Sequence, residues 1–189
     1  MGQPRLNYRA IFFGLHRLQP NIDLFDQLLD LPEGMVMEFG VYKGESIEGI
    51  RQLTGRKVYG FDSFQGLPEE WTPQFPKGEF ACEVPKLSQG IELVVGRFEE
   101  TLDDFLKGHP GMVALAHIDC DLYSSTRFVL DRLKDRFVRD SLLIFDEITS
   151  FTPAMEHECK AFCDYLNEND QVWHCVGRHN QYGAMFRKQ

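Results

Sequence analysis

An α/β fold built on a seven-stranded, mostly parallel sheet is what this sequence predicts, and three observations predict it. Short apolar segments alternate with helix-like ones, which implies parallel strands covered by helices on both faces. Two apolar runs, Val113-Ala-Leu-Ala-His-Ile118 and Leu142-Leu-Ile-Phe145, end directly in acids, Asp119 and the Asp146-Glu147 pair. That is the pattern of a buried parallel strand whose C-terminal end opens into a site. The last two strand-like segments are joined only by Gly177-Arg-His-Asn-Gln181, too short for a crossover, so they form an antiparallel hairpin.

Strands are predicted over Met35–Phe39, Lys57–Asp62, Ile91–Gly96, Val113–Asp119, Leu142–Asp146, Val172–Val176 and Tyr182–Arg187. Helices are predicted over Glu45–Leu53, Glu99–Lys107, Ser124–Arg136 and Pro153–Asn167. The sheet is six parallel strands closed by one antiparallel strand. There is no internal repeat, and 189 residues read as one domain, residues 1–189, large enough for a full core. Residues 1–30 form an N-terminal helical segment: Tyr8, Ile11, Phe12, Leu15 and Leu18 recur at helical spacing and call for an apolar partner. Phe12, Phe13 and Leu15 in that segment suggest a homodimer surface. Residues 63–90 are a long connection holding four prolines with Trp71, Phe75 and Phe80, a length typical of a lid or binding loop.

Composition narrows the function classes. The net charge is −9 and Lys and Arg are scattered, so a phosphate backbone is repelled and nucleic acid is not an expected partner. No apolar stretch reaches the ~18 residues a membrane helix needs. The start, Met1 to Leu6, reads as neither a signal peptide nor a myristoylation site. Five irregularly spaced cysteines argue against a disulfide framework and for a reducing cytoplasm. Cys159 and Cys163, four apart near His157, lack the further ligands of a zinc site and read as a helix face.

The chemistry sits at the strand ends. Asp119, Asp146 and Glu147 would repel one another around one point unless a cation sits there, and a hard divalent ion with oxygen ligands is the natural occupant. The first strand runs into Glu38-Phe-Gly-Val-Tyr-Lys-Gly-Glu-Ser46. Gly40 and Gly44 allow a tight turn before a helix whose N-terminus offers unpaired N–H donors. Asp62, ending the next strand, is placed to accept both hydroxyls of a ribose. Tyr42 occupies the middle glycine position of a dinucleotide fingerprint and crowds a pyrophosphate, so a ribose cofactor without phosphate fits better. S-adenosylmethionine is the obvious one, with Glu38 holding its amino acid end through the backbone or water.

Four runs carry a family resemblance: Glu38-Phe-Gly-Val-Tyr-Lys-Gly44, Tyr59-Gly-Phe-Asp-Ser-Phe-Gln-Gly-Leu-Pro68, Gly96-Arg-Phe-Glu-Glu-Thr-Leu102 and His117-Ile-Asp-Cys-Asp-Leu-Tyr-Ser-Ser-Thr126. From about residue 35 onward the chain resembles the macrocin O-methyltransferase (TylF-like) family of class I S-adenosylmethionine-dependent methyltransferases. The resemblance implies a Rossmann-like fold and a small-molecule acceptor such as a sugar hydroxyl of a natural product. It implies that Glu38, Gly40, Ser46, Asp62 and Ser63 contact the cofactor, with Phe98 and Glu99 near its adenine. It also implies magnesium on Asp119, Asp146 and Glu147; the family carries Asp-Asp where this chain has Asp146-Glu147.

Methyl transfer to oxygen is an in-line displacement that needs two aligned reactants and a hydroxyl relieved of its proton. Asp119 is the first candidate as ligand and base, followed by His117, Asp121 and His179. Each has a simpler reading: His117 lies inside an apolar strand as a hydrogen-bonded core residue, Asp121 and Ser124 are helix N-caps, and Phe145 and Phe151 are core. Three alternatives stand beside the methyltransferase: a nucleotide-dependent dehydrogenase, a non-catalytic cofactor-binding protein, and a metal-independent methyltransferase with another acceptor.

Overall fold

The computed structural model describes residues 5–18 and 24–189; residues 1–4 and 19–23 of the N-terminal segment lie outside the described residues. The elements in chain order are α1 (Tyr8–His16), α2 (Leu24–Leu29), β1 (Met35–Phe39), α3 (Glu45–Thr54), β2 (Val58–Asp62), β3 (Ile91–Val95) and α4 (Phe98–Gly108). There follow β4 (Val113–Ile118), α5 (Tyr123–Leu133), β5 (Phe137–Phe145), α6 (Thr152–Glu156), α7 (Glu158–Glu168), β6 (Trp173–Gly177) and β7 (Ala184–Lys188).

The strands pair in the order β3-β2-β1-β4-β5-β7-β6. Only β7 runs against the rest, pairing antiparallel with β5 on one side and β6 on the other. The antiparallel strand therefore lies inside the sheet and does not close its edge. Its burial explains the swap: Ala184, Met185 and Phe186 are buried, whereas β6 is half exposed and suits an edge. Every residue of β4 is buried, as its unbroken apolar run requires. On one face, Met37, Phe39, Ala116, Ile118 and Leu143 pack with residues of α1, α4, α5 and α7. On the other, Val36, Leu115 and Ile144 pack with α3 and with Leu28 of α2. Strand order reverses direction between β1 and β4, which makes their C-terminal ends the switch point where ligands of such sheets bind.

Three expectations change. The helix predicted over Pro153–Asn167 breaks at His157 (φ −110°, ψ −101°) into α6 and α7. The break has a cause elsewhere in the chain: the His157 ring accepts a hydrogen bond at Nδ1 from the Tyr123 N–H, 3.2 Å away, and so serves the first turn of α5. That turn has Leu122 at its N-cap with no side-chain bond, so neither Asp121 nor Ser124 caps it; the Ser124 hydroxyl donates instead to Glu69. Phe12 and Leu15 of α1 are buried in the core, which leaves Phe13 as the exposed member of the suggested dimer patch. Among the described residues no helix is long and apolar enough to cross a membrane.

Candidate active site

The turn after β1 is organised by the acid that ends β2. Asp62 Oδ2 accepts from the Val41 and Tyr42 N–H groups at 2.9 and 2.8 Å, and Oδ1 accepts from the Phe64 N–H at 2.8 Å. A carboxylate offers about four acceptor positions, so Asp62 keeps roughly one for a ligand. Gly40 and Tyr42 both have positive φ, 90° and 49°. Gly40 admits no other residue, because a Cβ there would lie 1.7 Å from the Asp119 carbonyl oxygen. Close approach of β1's turn to β4's end is thus fixed by a missing side chain.

These strand ends open on a cavity of about 490 Å³. Of the sequence-predicted cofactor residues, Gly40, Tyr42, Asp62, Ser63, Phe98 and Glu99 line it. Phe98 is held there by an edge-on contact with Phe39, centroids 5.6 Å apart. Glu38, Gly44 and Ser46 do not line it. Gly44 packs against the Leu87 side chain, where a Cβ would meet Cδ2 at 2.4 Å. Glu38 is fully buried, and its Oε1 binds the His117 ring Nδ1 at 2.8 Å across the β1–β4 pair.

That pairing changes how His117 reads. Burial presses the ring toward neutrality, but the hydrogen bond and charge of Glu38, joined by Asp119 and Asp146, outweigh it and raise its pKa to about 9. A protonated, bonded ring behind the cavity wall is a structural ion pair and is not disposed to take a proton. His179 is likewise off the cavity: Asn180 Nδ2 donates to its Nε2 at 3.1 Å, and burial lowers its pKa to about 4.

The acids do converge. Asp119, Asp121 and Glu147 line the cavity, whereas Asp146, next to Glu147 in the chain, does not. Burial, then the neighbouring negative charges of Asp146 and Asp121, pushes the Asp119 carboxyl well above the usual range, against the pull of His117. Burial and Asp146 raise Asp121 to about 7, and burial with Asp121 and Asp146 raises Glu147 to about 8. Asp121 holds φ 60°, a conformation that turns its carboxyl region sharply after β4. Glu158, at the start of α7, was not singled out from the sequence; it is 1% exposed and both its oxygens lack partners. Burial and the charges of Asp121 and Asp119 push it well above its usual range too. Hard oxygen donors under mutual repulsion, with Glu147 Oε2 buried and unpartnered, suit a divalent cation chemically. Among the described residues, no three His, Cys, Asp or Glu side chains are arranged to hold a metal. Cys159 and Cys163 are buried in the core.

Residues that sequence reasoning left out supply the rest of the wall. Phe151, read as core, is half-buried and faces the cavity, as do Tyr182, Leu67 and Ser125. Trp71, Phe75 and Phe80 of the 63–90 connection join them. The connection is held in place by Leu67 N–H to Glu79 O and Gly78 N–H to Leu67 O, both 2.9 Å. Its aromatic content was the signal in the sequence; nothing there paired it with Phe151 or Tyr182.

The family model described as a methyltransferase domain matches residues 37–148, more than half of the chain. No curated protein matches the sequence. Among solved structures, the calicheamicin methyltransferase CalS11 is 26% identical, with TM-score 0.71, over 95% of this chain and 79% of that one. The O-methyltransferase NovP, 19% identical with TM-score 0.65 over 95% of this chain and 79% of that one, shares the fold. So does CmcI-D160 with Mg and SAM, 19% identical with TM-score 0.54 over 87% of this chain and 68% of that one. With the strand order, the tight turn after β1 and the matched span in agreement, the chain belongs to the methyltransferase-domain family.

Proposed function

We propose that the protein transfers the methyl group of S-adenosylmethionine to a hydroxyl of a small molecule, such as a sugar or other natural product, with magnesium assisting. One observation carries this reading: a single cavity is lined both by the Gly40–Asp62 turn and by the buried acids Asp119, Asp121 and Glu147. A cofactor seated on the turn and an acceptor hydroxyl at the acids would share one enclosure. The solved relatives add support: CalS11 is a calicheamicin methyltransferase, NovP an O-methyltransferase, and CmcI-D160 was seen with Mg and SAM.

When bound, the cofactor supplies an electrophilic methyl on a sulfonium, and magnesium supplies acidity to a hydroxyl. Asp119, Asp146 and Glu147 are the side chains that would hold the ion. Gly40 brings the cofactor turn close to Asp119, Asp62 offers its remaining acceptor position to a ribose hydroxyl, and Ser63, Phe98 and Glu99 bound the adenine end. Asp119 orients the acceptor hydroxyl and takes its proton, with Asp121 beside it. The aromatic wall excludes water around the reacting atoms.

The test is calorimetric titration with S-adenosylhomocysteine, with and without magnesium. Binding is expected, and magnesium is expected to change the heat once an acceptor is present; absence of binding in both conditions removes the reading. Asp119→Asn should leave S-adenosylhomocysteine affinity nearly unchanged and lower turnover at least ~100-fold. Normal turnover in that variant would refute the role given to Asp119.

A further inference from the structure

The wall of the cavity has a chemistry of its own. Six rings follow one another around the wall, Tyr42, Phe80, Phe75, Trp71, Phe151 and Tyr182, and every one lines the cavity. Successive centroids are 5.9, 5.5, 5.2, 5.1 and 6.4 Å apart, so the band is continuous. Trp71 is only 7% exposed, and its Nε1–H is buried without a partner.

Charge sets the second constraint. Five acids line the cavity, Asp62, Glu99, Asp119, Asp121 and Glu147, and Arg97 is the single Lys or Arg among the described lining residues. Residues 1–4 and 19–23 contain no Lys or Arg. Arg97 follows β3, four strands from β5 in the sheet order, roughly 19 Å away at about 4.8 Å per strand. Arg178, the cation closest in sequence to Tyr182, already donates to the carbonyls of His16 and Leu18 and to the Ser150 hydroxyl. Apart from the ion those acids would hold, a diphosphate beside Asp119, Asp121 and Glu147 would meet like charges and no Lys or Arg among the described lining residues nearer than Arg97. CalS11, by contrast, is described as a TDP-rhamnose 3'-O-methyltransferase, an enzyme of a nucleotide-linked sugar.

We propose that the acceptor is a flat, uncharged aromatic compound with neighbouring hydroxyls, taken free and not as a nucleotide-linked sugar. This rests on the methyl-transfer reading and narrows it. The ring band stacks the planar body, and the neighbouring hydroxyls donate to the acids Asp119, Asp121 and Glu147. The nearer oxygen is the one methylated, its proton passing to a carboxylate.

Two measurements separate this from the broader reading. S-adenosylhomocysteine affinity is measured first; if it does not bind, the broader reading fails and this one falls with it. The loaded protein is then titrated calorimetrically with methylcatechol and dihydroxynaphthalene, and in parallel with UDP-glucose. Binding of the aromatic diols and not of UDP-glucose is expected. Trp71→Ala should weaken diol binding about tenfold, while Trp71→Phe, which keeps a ring, retains most of it and both keep S-adenosylhomocysteine affinity. Preference for UDP-glucose, failure of either diol to bind, or a Trp71→Ala variant with unchanged diol affinity would overturn the proposal.

Discussion

Glu38 and His117 show how a residue can matter to a site without touching its contents. The two face each other across β1 and β4, both buried, and their ion pair fixes the strands that carry Gly40 and Asp119. Glu38→Ala would strand a buried positive charge, and loss of ~3–5 kcal/mol of stability is expected in urea unfolding. A loss under ~1 kcal/mol would mean that the ring sheds its proton in the variant at little cost. From the sequence, His117 was legible as a core histidine because it interrupts an apolar run. Its partner was not, because a carboxylate ahead of a glycine turn also fits a cofactor contact, and only the strand register decides between them. Asp119, Asp121 and Glu147 were legible as cavity residues because each follows a buried strand whose end has nowhere to point except the site. Glu158 was not legible: it sits at the start of a helix and meets the other acids only through tertiary packing.

The long connection between β2 and β3 is where local rules constrain the wall most tightly. Gly66 has φ +76°, and a Cβ there would lie 2.3 Å from the carbonyl oxygens of both Gly78 and Glu79. Gly66→Ala therefore opens the clasp that holds Trp71, Phe75 and Phe80 in the ring band. A cost of ~2 kcal/mol in denaturant titration is expected, with weaker binding of aromatic ligands and little change for S-adenosylhomocysteine. Unchanged stability would show that the clasp relaxes freely. The alternating strands and helices were readable because each buries a repeating apolar face. The break between α6 and α7 was not, since residues 152–168 read as one helix and the force that pulls His157 out is a hydrogen bond from α5.

Across the whole molecule, acid and base effects on stability run in opposite directions. His179 is held at about 4, below its ordinary value of 6.5, chiefly by burial, so the folded chain binds fewer protons there than the unfolded one. Its contribution is complete above about pH 6.5 and is lost as pH falls through about 4, worth up to ~3 kcal/mol. Asp121 and Glu147 act with the other sign: their pKa values are raised, so stability present at low pH is lost as pH rises through about 7 and 8. His179→Gln should therefore flatten the wild-type loss between about pH 6.5 and 4.5 in urea titrations; an unchanged acid limb would contradict the assignment.

The placement of β7 between β5 and β6 has a kinetic meaning. Within the sheet β6 pairs only with β7, the strand that follows it in the chain, so it has no template until the later strand forms. So β6 joins the sheet only with or after β7, whose own pairing is with Leu142–Phe145 of β5. The same docking lets the Tyr182 carbonyl accept from the Ile148 and Thr149 N–H groups at 3.1 and 3.0 Å, which carries the Tyr182 ring to its place in the wall. Competence to bind an acceptor is then gained at the end of folding, and a chain stalled before the hairpin docks would keep the cofactor turn while leaving one side of the chamber open.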